Sequence, residues 1–376
     1  MRLDTYSLRR ATGVVFLLLA MAAPAAAQPS ETEVRLYGFV LFNAAYNTGA
    51  PAPADIPVMA GAGEEGSFLM TARQSRLGLQ ARHTGAVRTG ATIELDLWGL
   101  LGSVPNAGPT QSAPRTRLAF FTLGLSETST LLFGQTWAVV APLNPNSLSH
   151  QAVPMFSSSG NLWNRLPQIR YTYSAAPVIV EAAVLRPFAG EVAPAVTQID
   201  YLSAGEYSRL PFFEARAAFT SGRSTFGLSG RYGRLDLRSD ALREDETSTY
   251  VLAADVQLGF ENAGVSGEVY TGRNNRGLFG LAATRVANGR LADSEVTGGW
   301  GQLSLTSGRF VFNAGAGIED VDEGARNRTL FANGFFNLEA VPVTFALELA
   351  QVQTTPPGGD DLDNLTINFA ARYSFP

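Results

Sequence analysis

The chain has 376 residues, of which 45% are hydrophobic and only 16% charged, against about 25% charged in an ordinary soluble domain; that hydrophobic content excludes disorder. Thirty-eight glycines, 10% aromatics and prolines gathered in clusters point to many short β-elements joined by turns and away from a helical bundle. A net charge of −5 with no basic stripe, every basic residue being Arg, excludes a nucleic-acid partner, and the absence of Cys excludes disulfides, thiolate catalysis and cysteine-based metal sites.

Arg2, Arg9 and Arg10 precede an apolar run from Gly13 to Ala23, and Ala25-Ala26-Ala27 then offers an A-x-A cleavage site. Residues 1–27 therefore read as a secretory signal peptide, with Gln28 the first mature residue and 28–376 a single domain. The apolar run is shorter than the roughly 20 residues that a helical anchor needs. Beyond it the sequence has period two. Ala91, Ile93, Leu95 and Leu97 alternate with Thr92, Glu94 and Asp96, and Leu365, Ile367, Phe369, Ala371, Tyr373 and Phe375 alternate with Thr366, Asn368, Ala370, Arg372 and Ser374.

Sixteen such segments are expected, near 34–46, 68–83, 90–100, 114–125, 130–140, 165–173, 177–187, 208–219, 224–236, 248–260, 263–272, 295–305, 309–319, 328–338, 341–352 and 364–375. Long connections (47–67, 101–113, 141–164, 188–207, 237–247, 273–294 and 353–363) take turns with short ones such as 126–129, 174–176, 306–308 and 339–340. Hydrocarbon offers no partner to an open sheet edge, so a membrane sheet must close, and short turns alternating with long loops are the rhythm of a bacterial outer-membrane barrel. The fold class is therefore all-β, a sixteen-stranded antiparallel transmembrane barrel. A soluble β-repeat protein would also alternate, but would not keep this rhythm.

Parity assigns side chains to the inside. If Ile93, Leu95 and Leu97 face lipid, Glu94 and Asp96 face the lumen; the same rule places Gln74, Arg76, Arg82, Gln168, Arg170, Glu214, Arg216 and Arg231 there. Arg115 and Arg117 are assigned inward too, although Ala119, Phe120 and Phe121 blur the parity. Two readings follow: an arginine ladder guiding anions, or arginines that only solvate the wall and balance Glu94, Asp96 and Glu214. Trp98, Trp137, Trp163 and Trp300 fit interfacial girdles or subunit contacts equally well.

Thr71-Ala72-Arg73-Gln74-Ser75-Arg76-Leu77-Gly78-Leu79, Glu94-Leu95-Asp96, Arg115-Thr116-Arg117-Leu118-Ala119-Phe120, Gly134-Gln135-Thr136-Trp137 and Arg165-Leu166-Pro167-Gln168-Ile169-Arg170 together resemble the DcaP-like porin family. The resemblance is dense from Tyr37 to Tyr173 and at the last strand. It implies a trimeric outer-membrane channel for dicarboxylates and other small anions, in contact with outer-membrane lipid and lipopolysaccharide. Two departures stand out: Gln28 to Glu33 leave no room for the coiled-coil extension of some members, and Phe375 is followed by Pro376, although Tyr373 and Phe375 keep the aromatic spacing. A porin would fold the connection 141–164 inward as a constriction loop. That loop carries Asn144, Asn146, Ser149 and His150 but no Asp or Glu, which is expected to leave wall arginines unopposed and favour anions.

Neither a cofactor nor a metal is expected, because His83 and His150 are the only histidines and neither sits in a zinc-binding spacing. An enzyme is not expected either. A barrel lipase built on His150 and a neighbouring serine lacks a G-x-S-x-G motif. Alternatives to an anion-biased porin are a general non-selective porin and a barrel-anchored structural or adhesive protein, the latter needing an occluded lumen. Acidic groups at 244–246 and 360–363 read as solvated loop residues.

Overall fold

The computed structural model describes residues 32–85, 87–99, 112–189, 202–237, 246–283, 285–287 and 290–375. The expected signal peptide, the cleavage point at Gln28, Glu244, Asp245 and Pro376 lie outside these residues.

The framework is one antiparallel sheet: β1 (Thr32–Asn47), β2 (Ser67–Thr71 continuing as Arg76–His83), β3 (Thr89–Gly99), β4 (Ala113–Gly124), β5 (Ser129–Trp137), β6 (Arg165–Ala175), β7 (Val178–Leu185), β8 (Phe212–Ser221), β9 (Ser224–Asp236), β10 (Glu246–Gly259), β11 (Ala263–Arg273), β12 (Glu295–Ser307), β13 (Phe310–Val321), β14 (Arg326–Asn337), β15 (Val343–Thr355) and β16 (Leu362–Phe375). Each strand pairs with its sequence neighbours, and β1 pairs with β16 from Gly38↔Phe375 to Asn47↔Thr366 as well as with both halves of β2. The sheet is therefore a closed barrel of sixteen strands. Closure leaves no strand edge unpaired, which is the condition hydrocarbon imposes.

Alternation sorts the side chains as expected of a membrane barrel. Leu77, Ile93, Leu228, Leu252, Val269, Leu330, Leu347 and Ile367 are exposed on the outer face, whereas Asn43, Glu94, Glu214, Arg231, Asp255, Gln302, Asn333 and Asn368 are buried on the inner one. This inverts the distribution of a soluble domain. Short turns occupy the end that carries Thr32 and Phe375, here the turn end; longer connections occupy the loop end. One connection departs from the rhythm: only 322–325 separate β13 from β14 at the loop end.

Three local irregularities matter for the lumen. β2 is broken at 72–75, where Ser75 Oγ accepts from Leu41 N at 3.0 Å and donates to the carbonyl of Ala72 at 2.7 Å, which frees Gln74 from the ladder. The β3–β4 register slips between Glu94 and Leu95, a β-bulge, so the blurred parity around Ala119 to Phe121 has a physical cause. β5 ends at Trp137, short of the expected 140, because the chain from Ala138 turns into the barrel.

Candidate pore and its constriction loop

Residues 138–164 lie inside the barrel, with Val139, Leu148, Met155, Phe156 and Leu162 buried. Their course can be followed by the wall groups that hold them. Val139 N and Val140 N donate to Glu214 at 2.5 and 3.2 Å, and Ala141 N donates to Ser229 Oγ at 3.3 Å. Leu143 N donates to Glu268 at 2.6 Å and Asn146 N to Gln302 at 2.7 Å. Further round, Ser147 Oγ donates to Glu348 at 2.6 Å, Asn43 Nδ2 to the Leu148 carbonyl at 3.1 Å, and Gln74 Nε2 to the Ser149 carbonyl at 2.8 Å. Gln74 Oε1 also accepts from Gln151 N and Ala152 N, at 2.8 and 3.0 Å. The loop thus runs from β8 past β15 to β2, bonded to inward residues that the barrel presents at successive strands.

Its far end meets cations. The carbonyl of Gln151 accepts from Arg76 at 3.0 Å and Arg117 at 3.3 Å, and that of Ala152 accepts from Arg115 at 2.9 Å and Arg165 at 3.5 Å. The loop lacks carboxylates for a reason that sequence alone does not give. Its N–H groups answer wall carboxylates, and an acidic side chain among them would face Glu214, Glu268 and Glu348 as a like charge.

The returning half of the loop is held by packing. Phe156 sits between Trp300 and Phe331, with ring centroids 5.8 and 5.3 Å away, and Trp163 stacks on Phe279 at 4.2 Å. Gly317 permits the seat of Phe156: a Cβ there would lie 2.2 Å from the Ser159 carbonyl and 2.8 Å from the Phe156 ring. Gly160 combines a φ of +111° with a similar approach, 2.1 Å from its would-be Cβ to the Gly299 carbonyl. A β-carbon at either site would push the loop off the wall.

The wall arginines are not unopposed, and that expectation is corrected. Asp96 takes Arg115 at 2.6 and 3.0 Å and Arg117 at 3.0 Å, while Glu94 takes Arg117 at 2.8 Å, Arg76 at 3.5 Å and the Tyr37 hydroxyl at 3.0 Å. Arg170 pairs with Glu181 at 3.2 Å, Arg216 with Asp255 at 2.6 Å, and Arg231 with Glu214 at 3.1 Å. Register sets some of these groups face to face: Asp96 stands opposite Arg115, Glu214 opposite Arg231, and Glu181 opposite Arg216 at 3.8 Å. In three of these pairs, Arg115–Asp96, Arg76–Glu94 and Arg216–Asp255, the cation has the better access to water. Side-chain exposure is 27% for Arg115 against 1% for Asp96, and 19% for Arg76 against 7% for Glu94. In these pairs the guanidinium screens the carboxylate behind it, whereas Arg117, at 3%, is no more accessible than Glu94, at 7%.

The remaining expected residues fall in four places. Gln168 is buried and donates to the carbonyls of Thr136 and Trp137, and its Oε1 accepts from Arg170 at 3.0 Å. Arg231 and Glu214 are sealed beneath the loop, with exposures of 2% and 0%, so they anchor it and do not line open water. Arg82 is exposed near the turn-end tip of β2, at the mouth and away from the loop. In the loop itself Asn144 is exposed, Asn146 Nδ2 reaches Asn313 at 3.4 Å, and Ser149 and His150 are buried against Glu348. A serine–histidine–acid relay needs the imidazole between hydroxyl and carboxylate. Here Glu348 accepts directly from Ser149 Oγ, and the same His150 Nδ1 faces both Ser149, at 3.0 Å, and Glu348, at 3.5 Å. That geometry is unsuited to a lipase. Among the described residues no cluster of three or more His, Cys, Asp or Glu is arranged to hold a metal ion.

Sequence reasoning missed the inner polar belt. Asn313 Nδ2 donates to Asn333 at 2.8 Å, Asn333 Nδ2 to Glu348 and to the Asn146 carbonyl at 2.9 Å each, and Asn43 Nδ2 to Asn368 at 3.2 Å. The available signal was an amide or carboxylate at the inward parity of consecutive strands. Tryptophan also fell inside: Trp300 donates to Glu268 at 2.9 Å, Trp137 lies 6.2 Å from Trp163, and the Arg73 guanidinium covers Trp98 at 3.4 Å.

No protein-family model matches the sequence, and no curated relative is found by sequence similarity. Solved structures do match. The outer-membrane channel DcaP of Acinetobacter baumannii superposes with a TM-score of 0.77 at 17% identity, covering 93% of this chain and 99% of that one. An anion-selective porin from Comamonas acidovorans gives 0.63 at 13% identity, covering 92% and 100%. Outer-membrane expressed OmpT of Vibrio cholerae gives 0.61 at 12% identity, covering 93% and 99%. The resemblance to DcaP-like porins first read from short motifs thus extends to the architecture of the whole described barrel, and the fold is that of a sixteen-stranded outer-membrane porin.

Proposed function

We propose that the chain is an outer-membrane porin through which small hydrophilic solutes diffuse passively with a bias towards anions, dicarboxylates among them. One observation carries the bias: in two pairs at the loop's far end the cation is the more accessible member, 27% against 1% for Arg115 and Asp96 and 19% against 7% for Arg76 and Glu94. Two unit charges about 4 Å apart interact by about 4 kcal/mol at an effective dielectric of 20. A passing solute that touches the guanidinium first meets the positive member at short range and the negative one only through it. The selectivity in the Comamonas porin's name agrees with this reading. The DcaP likeness supports a homotrimer in contact with outer-membrane lipid and lipopolysaccharide, reached through export by residues 1–27.

A general non-selective porin is the second reading, and the pairing of the wall arginines favours it over an unscreened ladder. Solute uptake into proteoliposomes separates the two. Solutes of equal size bearing a negative, zero or positive charge should enter in that order of rate. Equal rates would leave the general porin, and fastest entry of the cation would overturn the bias.

A further inference from the structure

Around the constriction loop, Arg76, Arg115, Arg117 and Arg165 are each held by a loop carbonyl, and a nearby inward arginine is not. Arg372 occupies the inward parity of β16, half-buried, and its side chain makes neither a hydrogen bond nor an ion pair with any described residue. Its Nε is shielded from water without a partner. The residues opposite it in register are Leu41 on β1 and Thr344 on β15, neither of them acidic. Just towards the loop end lies the apolar seat of Leu148, made by Leu41, Ala346 and Ala370 with Phe39 and Phe335 at its edge. An unpaired cation beside such a surface is costly unless something else answers it.

A second guanidinium, held by its carboxylate only at long range, stands nearby. Arg76 holds the Gln151 carbonyl through one Nη, while its buried Nε makes no hydrogen bond and faces Glu94 at 3.5 Å as a long ion pair. Phe39 lies between the two: the Arg76 guanidinium is 5.0 Å from its ring centroid and that of Arg372 5.9 Å. Arg76 comes from β2 and Arg372 from β16, the two strands that flank β1. With strands about 4.8 Å apart, their backbones are separated by about 10 Å.

We infer that Arg372, with Arg76 across the Phe39 ring, is a binding point for a small oxyanion, a carboxylate or a phosphate, on the turn-end side of the constriction loop. The inference rests on the diffusion-channel reading and deepens it by naming where the anion dwells. A planar guanidinium answers two oxygens of such a group, and the apolar seat of Leu148 strengthens the attraction by excluding water. Chloride offers a single centre and is held less well. Residence at such a point is compatible with conduction only if it is brief, so the site slows chloride flux without closing the channel.

The test is single-channel recording of the full barrel in a planar bilayer in potassium chloride, with inorganic phosphate or acetate added as the probe. For the wild type, one or both should lower the chloride conductance saturably, and the one acting at lower concentration identifies the chemical class. Arg372→Gln should raise the half-effect concentration at least about tenfold, as expected for loss of a charge-assisted hydrogen bond. Arg372→Lys, which keeps the charge and loses the planar fork, should fall between, and it serves where the glutamine variant fails to insert. An unchanged half-effect concentration in both variants would overturn the site while leaving the diffusion reading intact, as would a conducting wild type that neither probe affects. A protein that inserts and conducts no ions would overturn the diffusion reading itself.

Discussion

Glu214→Gln should destabilise the barrel and loosen its loop together, because one carboxylate serves both. Its Oε2 accepts Val139 N at 2.5 Å and Val140 N at 3.2 Å, while Oε1 lies 3.1 Å from Arg231 Nε. Arg231 has no other carboxylate partner among the described residues, and its Nη2 is already unsatisfied. A neutral amide leaves that guanidinium buried without a counter-charge, which costs about 3–5 kcal/mol. Amide flipping adds to the loss: whichever way the group points, an NH2 faces either the guanidinium or the two backbone N–H groups. Removing both partners, as in Glu214→Gln with Arg231→Met, relieves the unpaired charge and should recover about half or more of that loss. The assay is urea unfolding of the barrel refolded into lipid vesicles, with single-channel noise recorded in parallel. The single variant should unfold at lower urea and show added current fluctuation; the double variant should regain stability but keep the fluctuation, since the loop's first anchor is still weakened. If Glu214→Gln unfolds within about 1 kcal/mol of wild type, the view that a buried ion pair holds the entry of the loop is wrong.

Gly317→Ala should displace Phe156 from its seat, at about 1–3 kcal/mol of overpacking, and raise the conductance; wild-type stability and conductance together would show that the loop does not depend on this contact. Ile93→Arg places a cation on the exposed outer face and should reduce folded yield in line with about 2–4 kcal/mol at mid-membrane. Gln80→Arg, on the inner parity of the neighbouring strand and exposed, is the matched control, and equal yields would mean that the strand is inside out. Gln74→Ala removes both the acceptor for Gln151 N and Ala152 N and the donor to the Ser149 carbonyl, so the loop should be cleaved faster by added protease in the intact barrel; unchanged cleavage would assign the hold to the arginines. A closed barrel should also migrate differently in electrophoresis before and after boiling, and identical migration would contradict closure.

What the sequence disclosed was everything that depends on a strand's own period. Ile93 and Leu97 facing out while Glu94 and Asp96 face in is a local fact, and the same alternation recurs in strands such as β8, β9, β14, β15 and β16. Pairing across strands was not legible, because register is decided by neighbours distant in sequence. Arg216 and Asp255 are 39 residues apart, and Ser147 and Glu348 are 201 apart. The neutral loop was therefore read as leaving arginines bare, when it is neutral because it answers carboxylates from β8, β11 and β15. The bulge at Glu94 and the break at 72–75 each disturb parity by an amount that no pattern rule anticipates. Arg372 was visible as an inward residue, but its lack of a polar partner emerges only once the register sets Leu41 and Thr344 opposite it.

The central claim, that accessible guanidiniums in front of hidden carboxylates set the sign of the pore, is tested most directly by the reversal potential across a potassium chloride gradient. Distant charges on the outer loops are largely screened over the Debye length of about 8 Å at physiological salt, so the narrow region decides the result. Wild type should favour chloride over potassium. Arg115→Gln combined with Arg76→Gln, which leaves Arg117 as the one arginine shared by Asp96 and Glu94, should move the reversal potential towards potassium. A cation-selective wild type, or a double variant with an unmoved reversal potential, would contradict the account.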